Sequence, residues 1–385
     1  MNRIYASLPD TIFDVMSGLA RELGAINLGQ GFPEDDGPLD LREAAARALI
    51  ECSNQYPPMR GLPETREAVA AHYNTHQNLD LDWLTEVTVT SGATEAIAAA
   101  LFGVINPGDE VVLIEPAYDA YAPLVARAGG IVRYVRLEPP DWRVTEDALK
   151  AAFSDKTRAV VLNTPNNPAG ALMNEHDLEL IAKYCVAHDA IAISDEVWEH
   201  VVFDGDRHIS MLAAPGMRAR TIKIGSAGKM FQMTGWKIGF LCATPELSSV
   251  LVKAHQFLTY ATPPNLQRAV AVGLQKPLSF FLESRTALQR ARDRLTAALT
   301  HEGFVVLPSK GTYFLNIDLA ASGIDLSDRE FALRAVKEAS VATIPLSAFY
   351  GSAPKTQLAR LCFAKRDETL DRGVEALAKA RRLMA

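Results

Sequence analysis

Lys229 lies in the stretch Ile224-Gly225-Ser226-Ala227-Gly228-Lys229-Met230-Phe231-Gln232-Met233-Thr234-Gly235-Trp236-Lys237-Ile238-Gly239, among small residues just beyond a strand-like run. A lysine in that setting suits capture of an aldehyde, because a neutral amine attacks a carbonyl carbon. A surface lysine is the plainer meaning of any single Lys. Ser226 and Lys237, however, bracket this one with a hydroxyl and a second cation, the pair that a phosphate monoester needs nearby. The stretch is not a P-loop: no glycine stands five residues before Gly228, and Met230 occupies the place of the required Ser or Thr.

An amine beside a phosphate anchor suits pyridoxal phosphate, which also needs a carboxylate at its pyridine nitrogen, a donor to its phenolic oxygen and a clamp for the substrate carboxylate. Thr90-Ser91-Gly92-Ala93-Thr94-Glu95 joins a strand to an alanine-rich helix, so the N–H groups of Ala93 and Thr94 can point at phosphate. An ordinary capped helix start reads the same way. Asp195 ends an apolar strand, a costly place for an unpaired carboxylate, and a pyridinium would be a fitting partner; a strand-end turn is the alternative. Asn163-Thr164-Pro165-Asn166-Asn167-Pro168 reads as a rigid turn that could also fix an amide donor. Arg360 is a cation within the apolar run Leu358–Phe363, where either a substrate carboxylate or an internal salt bridge would offset its desolvation.

These residues need a scaffold that gathers them. Short β-branched runs (Val87–Thr90, Val111–Ile114, Ala159–Leu162, Ala190–Ile193, Thr221–Ile224) alternate with helical patterns, which predicts an α/β fold with a largely parallel sheet flanked by helices. Ligands on such sheets bind beyond the carboxyl ends of the strands, and Thr94, Asn163, Asp195 and Ser226 fall there. From about Pro277 an Arg-rich helix, Leu278 to Glu302, precedes three short apolar runs and a final amphipathic helix, as in a smaller α+β domain. The expected division is an arm with part of the small domain over residues 1–39, a large cofactor-binding domain over 40–276 and a small domain over 277–385.

The 385 residues provide ample volume for a buried core. A net charge of −7 without basic runs gives no footprint for nucleic acid or an anionic membrane, so small-molecule partners are favoured. Four scattered cysteines without a C-x-x-C pair suggest neither zinc nor disulfides, and no metal is expected. Together with the lack of a signal-peptide core or a spanning apolar run, this makes a cytoplasmic location the expectation.

In combination these motifs resemble the fold-type I, class I/II pyridoxal phosphate aminotransferases from about Phe13 to Asp367. Asn27-Leu28-Gly29-Gln30-Gly31-Phe32-Pro33, Asn54-Gln55-Tyr56, Ile209-Ser210 and the lysine stretch are similar to the group of kynurenine aminotransferases, glutamine transaminase K and methionine aminotransferases, and to succinyldiaminopimelate aminotransferases. The resemblance implies that Lys229 forms the Schiff base and shuttles protons, with Asp195 at the pyridine nitrogen and Asn167 near the phenolic oxygen. Tyr118 would stack on one ring face and Val197 pack on the other, while Ala93, Thr94, Ser226 and Lys237 hold phosphate. Arg360 would take the substrate α-carboxylate, with Phe13, Gly31 and Asn167 also at the substrate. Tyr56 would reach the phosphate of a neighbouring subunit, which implies a homodimer with shared active sites.

Trp198 departs from the pattern, which usually has Tyr there: an indole N–H could donate to a phenolate but not relay a proton. Substrate choice is less legible. Phe13, Tyr118, Tyr260, Tyr313 and Phe349 would line an aromatic pocket suited to glutamine, methionine or aromatic side chains, though each could equally be core. Arg60, in a loop that the resemblance places near the partner's active site, could meet a distal carboxylate, or be an ordinary loop arginine. The expected reaction is ping-pong transfer of an amino group from an L-amino acid to a 2-oxo acid. Alternatives are a succinyldiaminopimelate or other dicarboxylic amino acid aminotransferase, β-elimination from cysteine S-conjugates and, remotely, a cofactor-sensing domain of a transcription regulator.

Overall fold

The structure, a computed structural model, describes residues 1–351 and 356–385. An N-terminal helix, Ile12–Leu23, leads into the two-residue strand β1 (Ile26–Asn27). The central sheet follows: β2 (Val87–Ser91), β3 (Glu110–Glu115), β4 (Ile131–Arg136), β5 (Thr157–Asn163), β6 (Ile191–Asp195), β7 (Thr221–Ser226) and β8 (Ile238–Cys242). After the long helix Leu278–His301 come β9 (Val305–Val306), β10 (Phe314–Asp318), β11 (Val341–Ala342), β12 (Ile344–Pro345) and β13 (Leu358–Cys362), and helix Asp367–Met384 closes the chain.

The seven-stranded sheet has the order β2-β8-β7-β6-β5-β3-β4, and only β8 runs against the rest. Its interior strands are buried on both faces, which explains why they read as unbroken apolar runs rather than alternations. Side chains nevertheless sort by the period of two. Val111, Leu113, Val161, Ile191 and Ile193 enter one apolar cluster, whereas Val112, Ile114, Val160, Leu162 and Ala192 enter the other. Strand β4 lies at the edge and is half exposed, with Arg133 and Arg136 marking it against further pairing.

A second, four-stranded antiparallel sheet has the order β12-β13-β10-β9. The N-terminal segment is bound to this half of the molecule: β1 pairs in parallel with β11, and the Cys362 N–H donates to the Leu28 carbonyl at 2.6 Å. The strands foreseen from composition all form, with ends shifted by one or two residues. Strands β4 and β8 were not foreseen. In β4, arginines interrupt the apolar pattern, and β8 follows Lys237, whose left-handed backbone (φ 54°) gives no compositional cue of the kind a glycine would.

Candidate active site

The carboxyl ends of β2, β3, β5, β6 and β7 lie along one edge of the sheet. There a cavity of about 190 Å³ is lined by Gly92, Ala93, Thr94, Ile97, Tyr118, Asn163, Asn167, Asp195, Val197, Trp198, Ser226, Lys229, Thr234 and Lys237.

At one end of the cavity lies the N-terminus of helix Gly92–Val104. Its N-cap, Ser91, makes no side-chain cap, and the first-turn N–H groups of Ala93 and Thr94 have no partner among the described residues. Such free donors, with the positive end of the helix dipole, form an anion site. Gly92 has φ +71°, and a Cβ there would lie 3.3 Å from Lys237 Nζ, so the cation is folded directly over the turn. Gly239 of β8 permits the approach from below, since a Cβ on it would sit 2.6 Å from the Gly92 carbonyl carbon and 2.8 Å from the Ala93 nitrogen. The Ser226 hydroxyl lines the same region without capping its own short helix.

Lys229 is fixed just after β7 by the turn Ala227–Met230. Its Nζ lies 4.8 Å from the Trp198 ring centroid and donates to the Tyr313 hydroxyl at 3.3 Å; that hydroxyl donates in turn to the Gly31 carbonyl at 3.0 Å. Burial pushes the Lys229 ammonium down to about 8, with Asp195 opposing, so a substantial neutral fraction exists near neutral pH. Asp195 is itself pushed up to about 6 by burial, against the Tyr121 hydroxyl, which donates to its Oδ2 at 2.5 Å. Tyr121 escaped the sequence reading. Its spacing of three from Tyr118 in Tyr118-Asp119-Ala120-Tyr121 was the only available signal.

Beneath Asp195 the next residue, Glu196, points to the opposite side and accepts from Ser194, Ser210, the Met211 N–H, His208 and Lys223. Lys223 also reaches Glu199 at 2.6 Å, and against the penalty of burial the two carboxylates push it up to about 12. Glu196, Glu199 and His208 have metal-like proximity, but Lys223 supplies their positive charge. This ionic knot pins the end of β6 and so fixes where Asp195 points.

Arg360 is fully buried on β13. It donates to Asn167 Oδ1 at 2.7 Å and to the Gly29 carbonyl at 2.8 Å, while its Nε has no partner. Its guanidinium carbon lies 4.0 Å from the Phe314 ring centroid and 5.2 Å from those of Phe13 and Phe349. No described carboxylate lies within ion-pair distance, which removes the internal salt bridge as the reason for Arg360 and leaves a free cation. Asn167 is in turn held by its own N–H donating to Asn163 Oδ1 at 2.7 Å. Trp198 packs edge-on to Tyr313 with centroids 4.2 Å apart, and its indole N–H is not engaged by any described residue. Gly31 has no room for a side chain, since a Cβ would meet Phe314 at 2.5 Å.

Within one chain, Arg60 donates to the Thr85 carbonyl at 3.1 Å, toward the amino end of β2 and away from that chain's own cavity. Tyr260 does not join the other aromatics: it packs edge-on to Tyr56 at 5.5 Å, and Tyr56 is 85% exposed and absent from the cavity wall. By contrast Phe13, Tyr118 and Phe349 do come together, lining an adjoining cavity of about 930 Å³.

A lysine amine of lowered pKa, a buried carboxylate and an uncapped helix end at the carboxyl edge of a mostly parallel sheet define an α/β enzyme of the fold-type I transferase class. The chain belongs to the aminotransferase class I and II family, which it matches over residues 24–377, and it is an aminotransferase. It is 45% identical over 379 residues to a probable N-succinyldiaminopimelate aminotransferase of Mycobacterium tuberculosis, covering 96% of this chain and 95% of that one. A methionine aminotransferase of Escherichia coli is 40% identical over 370 residues, covering 96% of each chain. The solved structure of N-succinyldiaminopimelate aminotransferase from M. tuberculosis superposes with a TM-score of 0.96 at 44% identity, over 99% of this chain and 100% of that chain.

Proposed function

We propose that the cavity at the sheet edge holds pyridoxal phosphate and that the enzyme moves the amino group of an L-amino acid of glutamine, methionine or aromatic type to a 2-oxo acid. The observation that carries this reading is the convergence on one cavity of Lys229, the buried Asp195 and the unsatisfied N–H groups of Ala93 and Thr94 under Lys237. Phosphate would sit on the last group, with Ser226 as a further donor, and Asp195 would meet the ring nitrogen. Tyr118 and Val197 would flank the ring, and Asn167 and Trp198 would donate toward it.

When bound, the cofactor supplies an aldehyde for the amino group and a ring that withdraws the electron pair left at the substrate α-carbon. Lys229 Nζ, neutral in part because it is buried, would take the α-proton and return it on the far side of the substrate nitrogen. Arg360 orients the α-carboxylate through its unpartnered Nε and its fork, with Asn167 and Gly29 holding the guanidinium in place. Phe13, Tyr118 and Phe349 would give the side-chain space apolar walls. In the cofactor-loaded enzyme without acceptor, adding glutamine, methionine or kynurenine should convert the cofactor absorbance to that of the amine form. Conversion by none of them would end this donor assignment.

A second reading, transfer from a succinylated or dicarboxylic donor, has one structural observation in its favour. Arg329 lies on the wall of the 930 Å³ cavity, is exposed, and has no carboxylate within ion-pair distance among the described residues. It would meet the distal carboxylate of such a donor.

We further propose a homodimer in which Tyr56 reaches the partner's cofactor phosphate. Ile50 (83% exposed), Tyr56 and Phe257 (86% exposed) are large apolar side chains that a monomer would leave in water. A solution molar mass of one chain at micromolar concentration would defeat this assembly.

A further inference from the structure

The 930 Å³ cavity begins where Tyr118, shared with the cofactor cavity, meets Phe13 and Phe349, the two rings that flank Arg360. A substrate held by its carboxylate at Arg360 and its amino group near Lys229 therefore has this space for its side chain. The walls carry the apolar Phe13, Ala117, Tyr118 and Phe349 together with the polar Asp10, Thr11, Asp119 and Arg329. Asp119 follows Tyr118 directly and lies on the wall, partly buried. No described side chain donates a hydrogen bond to it or lies within ion-pair distance.

Pockets of this kind place few polar groups, and each one sets what the ligand must present. The Asp119 carboxylate accepts from the backbone N–H groups of Asp119 and Ala120; in an apolar wall it still loses hydration, which a further donor on a ligand would restore. Burial raises the Asp119 carboxyl above the ordinary aspartate range; Arg360 opposes this and Asp14 adds to it. The group can thus offer acceptor oxygens and, in any residual acid form, a hydroxyl.

We propose that Asp119 is a specificity-determining residue that accepts a hydrogen bond from an N–H on the donor's side chain. The amino donors favoured are those whose side chains carry an amide or amine N–H. This rests on the proposed seating of the substrate between Lys229 and Arg360, and it narrows the donor class stated there. Glutamine, arylamine side chains and N-acylated diamino acids satisfy it; methionine does not, and simple dicarboxylic acids meet a like charge.

The test uses the cofactor-loaded wild-type enzyme with two near-isosteric donors, glutamine and the γ-methyl ester of glutamate, which lacks the N–H, alongside methionine as a reference. Glutamine is expected to exceed the ester in kcat/KM by at least about 10-fold. Asp119→Ala should shrink that ratio to near one while leaving methionine within about 3-fold of wild type, and Asp119→Asn should retain part of it. Equal use of glutamine and ester by the wild type would overturn the proposal without reference to any variant. So would an Asp119→Ala loss of equal size for all three donors. Failure of all three donors with the wild type would instead strike the donor assignment itself.

Discussion

Replacing Lys229 by methionine is expected to lower transamination by about 10⁴-fold or more and, at the same time, to make the cofactor-free protein more stable below pH 8. The first effect follows from losing both the amine proposed to capture an aldehyde and the base proposed to move the α-proton. The second follows from linkage. Burial pushes the folded-state pKa of Lys229 from 10.5 to about 8. Between these two values the unfolded chain binds more protons than the folded one, so wild-type stability rises with pH across that window. Below pH 8 the folded protein carries the whole burden of a buried ammonium, on the order of 3 kcal/mol.

Methionine fills similar space without the charge. The variant's advantage should be full at pH 7 and gone above about pH 10.5. Urea unfolding of both cofactor-free proteins at pH 7 and pH 10 measures it, and equal stability at pH 7 would show that the ammonium is not held against burial. Residual turnover within about 100-fold of wild type would exclude Lys229 from the chemistry.

Arg360→Met should lower kcat/KM about 10³-fold, yet change stability by less than about 2 kcal/mol. Breaking a buried ion pair ordinarily destabilises by about 3–5 kcal/mol because a carboxylate is stranded. Here none is. Burial lowers the guanidinium to about 10, so it stays charged at pH 7, and it is held only by an amide oxygen, a backbone carbonyl and three aromatic faces. Its removal relieves a desolvated charge while two neutral acceptors lose donors, and these effects oppose one another. Kinetics with the preferred donor, set beside a thermal melt, separate the outcomes. A loss of stability well beyond this range with activity falling only in proportion would make Arg360 a structural cation.

The side chains proposed to do chemistry are legible where a strand end and an out-of-place residue type coincide. Lys229 follows β7, Asp195 ends β6 and Arg360 interrupts an apolar run, and in each case the cost of burial is what makes the residue conspicuous. The partners that tune them were not legible. Tyr121 reaches Asp195 from 74 positions away, and Tyr313 joins Lys229 to Gly31 across the two sheets, so neither pairing leaves a local pattern. Nor does the position of Arg60 in the chain show that, within one subunit, its side chain runs back to a carbonyl at the amino end of β2. The fold class was readable because a doubly covered parallel sheet needs continuous apolar strands. The antiparallel β8 escaped because direction is set by partners, not by composition.

The N-terminal segment receives hydrogen bonds from both cationic arms of the site only through main-chain oxygens: Arg360 at the Gly29 carbonyl, and Lys229 by way of Tyr313 at the Gly31 carbonyl. No amino-acid replacement can delete a peptide oxygen. A saturation mutagenesis map would therefore score this segment by steric fit alone, harshly at Gly31 where a methyl group collides with Phe314, and would miss its electrostatic service to catalysis. Backbone chemistry would expose it: an ester in place of the peptide link after residue 29 or 31 weakens the acceptor without altering any side chain.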